Sequence, residues 1–574
     1  MRHLALAIVL LAVNSSGLFG QGPAPGGANI PLPPGGITGP RAPGMPPRDQ
    51  ASQPTGSAVL RGRVTRADTG QPLRRVQVRA TASELREGRV AITDDEGRYE
   101  LDQLPAGRYL LNATKGGYVS LQFGQRRPFD GGQPIQLADG QVVEKIDFAL
   151  PRGGVISGRV VDEFGEPLSG LQVQATRHRY VSGRRQLVMM HGGQTDDRGD
   201  FRLFGIAPGE YYVSASLPLN VMSIMASSRD HLGYASTYYP GTPIVAEAQR
   251  VMVGLGEEVS GITFALSPAR TASVSGIARG SDGRPLAGGT IMVTPRAEDG
   301  GVMFGGIGAN TIRPDGSFTV SGLAPGNYTL QARSPAAMIG TAAEVATAEV
   351  TVNGSDLTGV VLSVQRGGTV HGRVRFDDGS TPINPAQVQI MALAPVNTPL
   401  LLPSFPATVA DDWTFEIKGV GGQRYLRVNA PPRTMVKSIT VDGMDITDTP
   451  VAFTGDDVDG VEVVLTQRLT ELSGSVTDAR GGRVTDASVV IFAEDREKWV
   501  PLSRYVRTAK PDQQGQYKVQ GVPPGRYLVV AVDYLEPGEE TNPETLEQLR
   551  SRGTSLTIRE GETRAMDLKV TAGI

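Results

Sequence analysis

A glycine flanked by alternating apolar residues recurs five times along the chain, and this repeat constrains the fold more than any other feature. Two positions before each glycine stands Leu, Ile or Val, and two positions after it stands Val in four copies and Ala in the third. The five glycines are Gly62, Gly158, Gly276, Gly372 and Gly474. Their spacing of roughly 100 residues is the size of a small domain, whereas solenoid repeats are much shorter. The pattern therefore predicts about five separate domains.

A second pattern recurs inside these units and indicates short strands joined by tight turns. It consists of a glycine turn, an aromatic residue soon after it, and a proline-containing Gly-x-Tyr phrase. Its copies occupy residues 93–109, 195–211, 314–328 and 514–527. Glycine supplies the positive φ of the turn, and the aromatic side chain fills the core. Alternating apolar residues before and after this pattern predict further strands with one buried face.

About seven short strands per unit, separated by Gly and Pro turns, predict a sandwich of two sheets. We therefore expect an all-β chain, a tandem array of about five Greek-key seven-stranded β-sandwiches that follows a signal peptide and a disordered linker. The predicted segments are residues 1–20 (signal peptide), 21–56 (Pro/Gly-rich linker), 57–152, 153–268, 269–366, 367–467 and 468–574 (sandwiches one to five).

Two units depart from the common pattern. In the fourth, which is the most divergent, Trp413 stands where other copies carry the turn glycine, and two glycines at 421–422 replace the proline-containing turn. In the fifth, residues 542–553 predict a short helix with an asparagine cap, proline at its first position and a glycine stop.

The first residues are typical of an export signal. Arg2 and His3 precede an apolar run of about ten residues, which is followed by small residues. The run is too short to span a bilayer, and no later segment has 18 consecutive apolar residues. Residues 21–56 contain too few bulky apolar side chains to fold. We expect a mature chain without a membrane span that is secreted, extracellular or periplasmic, with association to an outer membrane as an option.

Charge and cysteine content exclude several classes of partner and chemistry. The formal net charge is −3, which leaves no basic footprint for nucleic acid. The chain has no cysteine, so disulfide bonds and thiol chemistry are excluded. Exported sandwiches of this kind must be held together by core packing alone.

Together, the two repeated phrases resemble the carboxypeptidase regulatory-like domain, a transthyretin-like (prealbumin-like) sandwich within a larger group that shares a carbohydrate-binding-like fold. The resemblance extends over about residues 58–574 and is weaker in the fourth unit. The tract 438–445 and the fifth unit are also similar to large secreted proteins of Acidobacteria-type bacteria. The resemblance implies non-catalytic accessory domains that stabilise, space or anchor enzymes and receptors. Fold analogy alone does not identify a ligand.

No catalytic set is expected. A zinc carboxypeptidase needs a His-x-x-Glu pair and a third ligand, but none of the five histidines has Glu three residues later, and the nearest pair is His191 with Gln194. No glycine-rich loop precedes a helix in the manner of a phosphate-binding site. We therefore predict no enzyme activity, no metal and no cofactor. The Asp-containing turns leave calcium as an alternative, although their recurrence at one place in each repeat favours turn formation.

Five aromatic residues are the candidates for ligand contact. Tyr234, Tyr238 and Tyr239 lie in an insertion of the second unit, and Trp413 and Trp499 are the two tryptophans. Aromatic faces exposed on a loop offer a large contact area for sugar rings at little entropic cost. The alternative, in which the same rings pack in a hairpin, is the stronger of the two.

These observations predict a secreted, non-catalytic scaffold or interaction protein. Its sandwiches would form an extended array that presents loops to a carbohydrate, a component of the cell envelope or a protein partner. The alternative is an accessory subunit of an outer-membrane receptor or a secreted hydrolase encoded elsewhere.

Overall fold

The fold is described by a computed structural model for residues 55–85, 87–181, 183–217, 232–296, 308–335, 345–364, 367–379, 383–395 and 406–573. The predicted signal peptide, and the predicted linker except for its last two residues, lie outside this part of the chain. The described residues form many short strands arranged in separate sheets. The prediction of an all-β chain of sandwiches is therefore confirmed. No helix in the described ranges is long and apolar enough to cross a bilayer.

The first unit consists of two sheets. Its strands are β1 (Ala58–Arg66), β2 (Gln77–Thr81), β3 (Arg89–Ile92), β4 (Arg98–Leu104), β5 (Gly107–Thr114), β6 (Leu121–Gln122), β7 (Ile135–Leu137), β8 (Val142–Val143) and β9 (Phe148–Leu150). β1 lies between antiparallel β4 and parallel β8 and β9. β2 pairs with β3 and β5, and β5 with β6 and β7. Val78 and Ala80 of β2 face the core while their neighbours are exposed, as period-two alternation requires.

The second unit repeats this plan with a long hairpin. Its strands are β10 (Gly154–Val161), β11 (Gln172–Val181), β12 (Arg184–Gln194), β13 (Asp200–Ile206), β14 (Gly209–Ser216), β15 (Leu232–Tyr234), β16 (Thr237–Tyr238), β17 (Arg250–Val253) and β18 (Glu258–Ala265). β10 lies between β13 and β18, and β11 between β12 and β14. β15 pairs with β19 (Pro268–Arg270), at the passage to the third unit.

The third unit shows the plan in its simplest form, three strands against four. Its strands are β20 (Ala272–Arg279), β21 (Thr290–Arg296), β22 (Gly308–Thr311), β23 (Ser317–Leu323), β24 (Gly326–Arg333), β25 (Val345–Val352) and β26 (Leu357–Ser363). The sheet orders are β23-β20-β26 and β22-β21-β24-β25. The opening and closing strands, β20 and β26, are parallel neighbours.

The fourth unit adds a hairpin to one sheet. Its strands are β27 (Gly368–Phe376), β28 (Gln389–Leu393), β29 (Ala407–Thr408), β30 (Thr414–Val420), β31 (Gly422–Asn429), β32 (Met435–Val441), β33 (Met444–Asp445), β34 (Val451–Phe453) and β35 (Val458–Thr466). The sheet orders are β30-β27-β35-β32-β33 and β29-β28-β31-β34. Trp413 has a φ of 67°, so it adopts the left-handed conformation that glycine takes in the other units.

The fifth unit carries the predicted helix. Its elements are β36 (Glu471–Thr477), β37 (Ser488–Ala493), β38 (Val506–Ala509), β39 (Gln516–Gln520), β40 (Gly525–Val532), α1 (Pro543–Arg550), β41 (Thr554–Ile558), β42 (Thr563–Ala565) and β43 (Leu568–Thr571). The side chain of Asn542 accepts a hydrogen bond from the Glu544 amide at the start of α1, which confirms the predicted cap. Short 3₁₀-helices occur at Val245–Glu247, Pro385–Gln387, Arg496–Lys498 and Glu539–Thr541.

Separate apolar cores lie inside the predicted units. Among the residues that the structure describes, five clusters of buried side chains fall within residues 58–150, 156–266, 272–364, 370–465 and 472–568. A sixth cluster lies on the outer face of the β37–β40 sheet, where Leu546 and Leu549 of α1 pack with Trp499. α1 and Trp499 therefore give the fifth unit a third layer.

The boundaries of the five domains stay a prediction.

The chain also folds back on itself. Asp130 of the first unit pairs with Lys510 of the fifth at 2.5 Å, and Arg177 of the second pairs with Glu536 of the fifth at 2.9 Å. The sequence predicts an extended array, and these contacts show that the first, second and fifth sandwiches instead pack together.

Candidate functional site

The repeated glycines serve the sandwich itself. Gly62 lies opposite Tyr99 in the β1–β4 pair, and a methyl group added to Gly62 would lie 1.9 Å from the carbonyl oxygen of Ile146. The Tyr99 hydroxyl donates to that same carbonyl at 2.6 Å. The other pairs are Gly158 with Phe201, Gly276 with Phe318, Gly372 with Phe415 and Gly474 with Tyr517. In every unit, an aromatic ring therefore stands across from a glycine in the neighbouring strand.

The Gly-x-Tyr phrase forms a repeated hydrogen bond. Tyr109 donates to the Pro105 carbonyl at 2.6 Å, and the equivalent bonds join Tyr211 to Ala207, Tyr328 to Ala324 and Tyr527 to Pro523. Each spans four residues, so the hydroxyl ties the turn to the strand that follows it. Burial raises the pKa of Tyr211 and Tyr328 to about 12. These tyrosines stabilise the fold and present no free polar group.

The Asp-containing turns are satisfied by backbone amides. One carboxylate oxygen of Asp196 accepts from the amides of Arg198 and Asp200 at 2.9 Å, and Asp512 accepts from two amides in the same way. These bonds are those expected of turn formation. Among the described residues, no group of three or more His, Cys, Asp or Glu side chains is placed to hold a metal ion.

Four of the five predicted ligand residues pack against other rings or lie in a buried position. Tyr238 is 3% exposed and Trp499 is 6% exposed, and the Trp499 indole donates to the Ala493 carbonyl at 2.7 Å. Tyr239 contacts Phe264, and Trp413 contacts Phe376, in edge-to-face geometry. These placements favour the packed alternative, and ligand binding by these residues stays a prediction.

Tyr234 lies near the surface beside a turn of the second unit. Its hydroxyl donates to Glu163 at 2.6 Å, and partial burial together with this hydrogen bond raises the pKa of the phenol. The contact joins the insertion to the turn between β10 and β11, in which Glu163 lies. The five predicted residues belong to three different units: Tyr234, Tyr238 and Tyr239 to the second, Trp413 to the fourth and Trp499 to the fifth.

The same turn carries an exposed aromatic residue that sequence reasoning missed. Phe164 is 83% exposed, and one Asp162 carboxylate oxygen accepts from the amides of Phe164 and Glu166 at 2.9 and 2.8 Å. The turn is thus fixed while the ring points to solvent. The residues before the turn glycine in the other units are polar: Thr69, Asp282, Asp378 and Arg480. Comparison of the repeats at this position would have identified Phe164.

Two segments match a known family. Residues 59–151 and 155–220 match the carboxypeptidase regulatory-like domain. Carboxypeptidase regulatory-like domains are therefore present in the first two units. The Gly62–Tyr99 pair and the tyrosine hydrogen bonds lie within the matched segments, and their recurrence extends the same local structure to later units. None of the curated proteins compared with the chain matches it.

Solved structures of sandwich proteins also align with parts of the chain. A streptococcal ancillary pilin is 16% identical, with 54% of this chain and 99% of that one covered at a TM-score of 0.19. The minor pilin GBS52 of Streptococcus agalactiae is 14% identical, with 37% and 96% covered at a TM-score of 0.21. Two B repeat units of the collagen binding protein of Staphylococcus aureus are 13% identical, with 66% and 92% covered at 0.13. TM-scores this low do not establish a shared arrangement of domains.

Proposed function

We propose that this chain is an exported, non-catalytic interaction protein that binds a polysaccharide through Phe164, Tyr234 and Glu163 of its second carboxypeptidase regulatory-like domain. The observation that carries the proposal is the exposure of Phe164, which is 83% accessible on a turn fixed by Asp162. A ring that stays exposed to water contributes no burial energy to the stability of the fold. A ligand that covers it would recover its burial energy.

The chemistry around Phe164 suits a sugar. The ring offers a rigid apolar face for the C–H groups of a pyranose, and the neighbouring carboxylates accept hydrogen bonds from hydroxyl groups. Tyr234 is held next to this turn by its bond to Glu163. The acidic side chains Asp162, Glu163 and Glu166 would repel an anionic membrane surface, so a neutral polysaccharide is the better fit.

A scaffold role, as opposed to catalysis, is supported by how the repeated polar groups are used. The tyrosine hydroxyls donate to backbone carbonyls, and the turn carboxylates accept from backbone amides. These groups are engaged in turns and strands at the same place of each repeat, which favours a structural role. The family matched by the first two units is described as regulatory-like, which agrees with an accessory role.

The test is binding of the full chain to insoluble polysaccharides and to a glycan array. Phe164→Ser should weaken binding by roughly tenfold, the value of one aromatic stacking contact. Phe204→Ser is the matched control, since Phe204 is also exposed, at 51%, on β13 of the same sandwich, and should bind like the wild type. Equal binding by the Phe164 variant, or no binding of the wild type to any polysaccharide, would overturn the proposal. Capture of a receptor or hydrolase instead would favour the accessory-subunit alternative.

A further inference from the structure

The fifth sandwich contacts the first through charged and polar side chains. Lys510 pairs with Asp130 at 2.5 Å, and both are largely buried, with side chains 18% and 6% exposed. Arg108 donates to the carbonyl of Lys510 at 2.7 Å, and burial lowers the pKa of Arg108. Gln133 donates to the carbonyl of Asp512 at 3.0 Å. Three side chains of the first unit thus contact residues 510–512, the segment before β39.

The rim of this contact is also ionic. Arg126 pairs with Asp486 at 3.1 Å, with side chains 67% and 36% exposed. Arg127 lies 4.9 Å from the ring centre of Tyr534 and donates to the carbonyl of Asp533. Solvent reaches these groups, so the rim responds to ionic strength more than the buried pair does.

The second sandwich reaches the fifth through its long β11–β12 hairpin. Arg177 pairs with Glu536 at 2.9 Å, with side chains 18% and 25% exposed, and its guanidinium lies 4.0 Å from the ring centre of Phe129 in the first unit. Near the hairpin tip, the backbone of Tyr180 packs so closely on Gly538 that a methyl group there would lie 2.1 Å from the Tyr180 carbonyl oxygen. The fifth unit is therefore held by two units at once.

We infer that the fifth sandwich is a reversible ionic clamp, which closes the chain by docking on the first and second sandwiches and opens without unfolding any of the five cores. Apart from the close approach of Tyr180 to Gly538, the named contacts are ion pairs, hydrogen bonds and cation–π contacts, and polar interfaces between domains of one chain are typical of those that separate. The buried residues of each apolar core lie within one unit, and Phe129, which packs on the core of the second unit from the first, does not involve the fifth. Loss of the clamp therefore removes no core packing. The clamp joins units that are separated in the sequence by the third and fourth units. Its loss therefore frees the fifth unit from the first and second.

Small-angle scattering of the full chain at two salt concentrations tests the clamp. The Debye length falls from about 30 Å at 0.01 M to about 3 Å at 1 M, so high salt weakens the ion pairs of the clamp. Each unit has a radius of gyration of about 13 Å. Because separated units then replace a compact arrangement, the radius of gyration of the whole chain should rise by roughly a third. Lys510→Met should open the chain already at low salt, with an unchanged far-ultraviolet circular dichroism spectrum. A radius of gyration that neither salt nor this variant changes would overturn the clamp.

Two further variants keep the test specific. Lys518→Met removes an ion pair with Glu471 inside the fifth unit and should leave the chain closed. Arg126→Asp should open it, and the exchange Arg126→Asp with Asp486→Arg should close it again, because both side chains lie at the accessible rim. Failure of the exchange to restore a compact chain would contradict the ionic origin of closure. A doubled mass at low salt would assign the contact to two copies and contradict an intramolecular clamp.

Discussion

Gly62 lies directly opposite Tyr99, and the Tyr99 hydroxyl bonds the same Ile146 carbonyl that approaches the Gly62 backbone. The Ile146 carbonyl therefore contacts both Gly62 and Tyr99. The glycine is required because the segment between β8 and β9, at Ile146, passes where a Cβ atom would stand. The aromatic ring on the other strand covers the gap that a missing side chain leaves.

This geometry predicts the effect of adding one methyl group. Gly62→Ala should destabilise the first sandwich by about 3 kcal/mol, the upper end of the usual overpacking cost, since the new Cβ meets backbone atoms that cannot move aside. Gly116→Ala is the control in the same unit, because a Cβ there meets nothing within 4 Å. Urea unfolding followed by circular dichroism measures both. Equal stability of the two variants would contradict the proposed role of Gly62.

The repeated tyrosine hydrogen bond predicts a smaller loss. Tyr527→Phe removes the donor to the buried Pro523 carbonyl and should cost about 1–2 kcal/mol in the free energy of unfolding. Tyr425 occupies the corresponding strand of the fourth unit, where two glycines replace the proline-containing turn. Tyr425→Phe should cost less than Tyr527→Phe when both are measured by urea unfolding, and the reverse order would count against the hydrogen bond.

Alkaline pH should unfold the sandwiches that contain these tyrosines. Burial raises the pKa of Tyr211 and Tyr328 to about 12, whereas a tyrosine in the unfolded chain titrates near 10. Between about pH 10 and 12 the unfolded chain loses these protons and the folded chain keeps them, so stability falls as pH rises. Absorbance at the tyrosinate band should therefore increase together with loss of circular dichroism. Ionisation of the buried tyrosines well before unfolding would contradict this.

Acid should weaken the junction of the fourth and fifth units. Burial alone would raise the pKa of Asp377, but hydrogen bonds from Arg468 and Lys437 hold that pKa at about 2. The stability that this carboxylate contributes is present above its unfolded value near 3.9 and is lost as pH falls through 2. Asp377→Asn should lower the melting temperature at pH 7 and flatten its fall between pH 4 and 2. A parallel fall in variant and wild type would show that other groups dominate.

The local structure of this protein was largely predictable from its residues. The repeated glycines and tyrosines indicated turns and core plugs because a tight turn and a buried ring each demand a particular side chain at a particular spacing. Asn542 and the proline after it likewise predicted α1, because a helix start needs a side-chain acceptor for its free amides. These requirements involve only residues close in the chain or in neighbouring strands.

The candidate surface was predicted less well. The sequence predicts an exposed ring at Tyr238, but Tyr238 pairs through β16 with Ser214 of β14 and is buried. Phe164 differs from the polar residues at the same position of the other repeats, but its immediate neighbours do not show that its ring faces solvent. Accessibility depends on what packs against a residue from elsewhere in the chain.

The repeated β-sandwiches follow from local patterns in the residues, since period-two alternation, glycine turns and buried aromatic rings are local requirements repeated at a domain-sized interval. The return of the fifth sandwich to the first and second depends on the arrangement of whole units in space. Asp130 and Lys510 stand 380 residues apart, and each is an unremarkable charge in its own segment. Their pairing depends on how the intervening sandwiches are oriented, and that orientation is set by contacts between surfaces that no local pattern encodes.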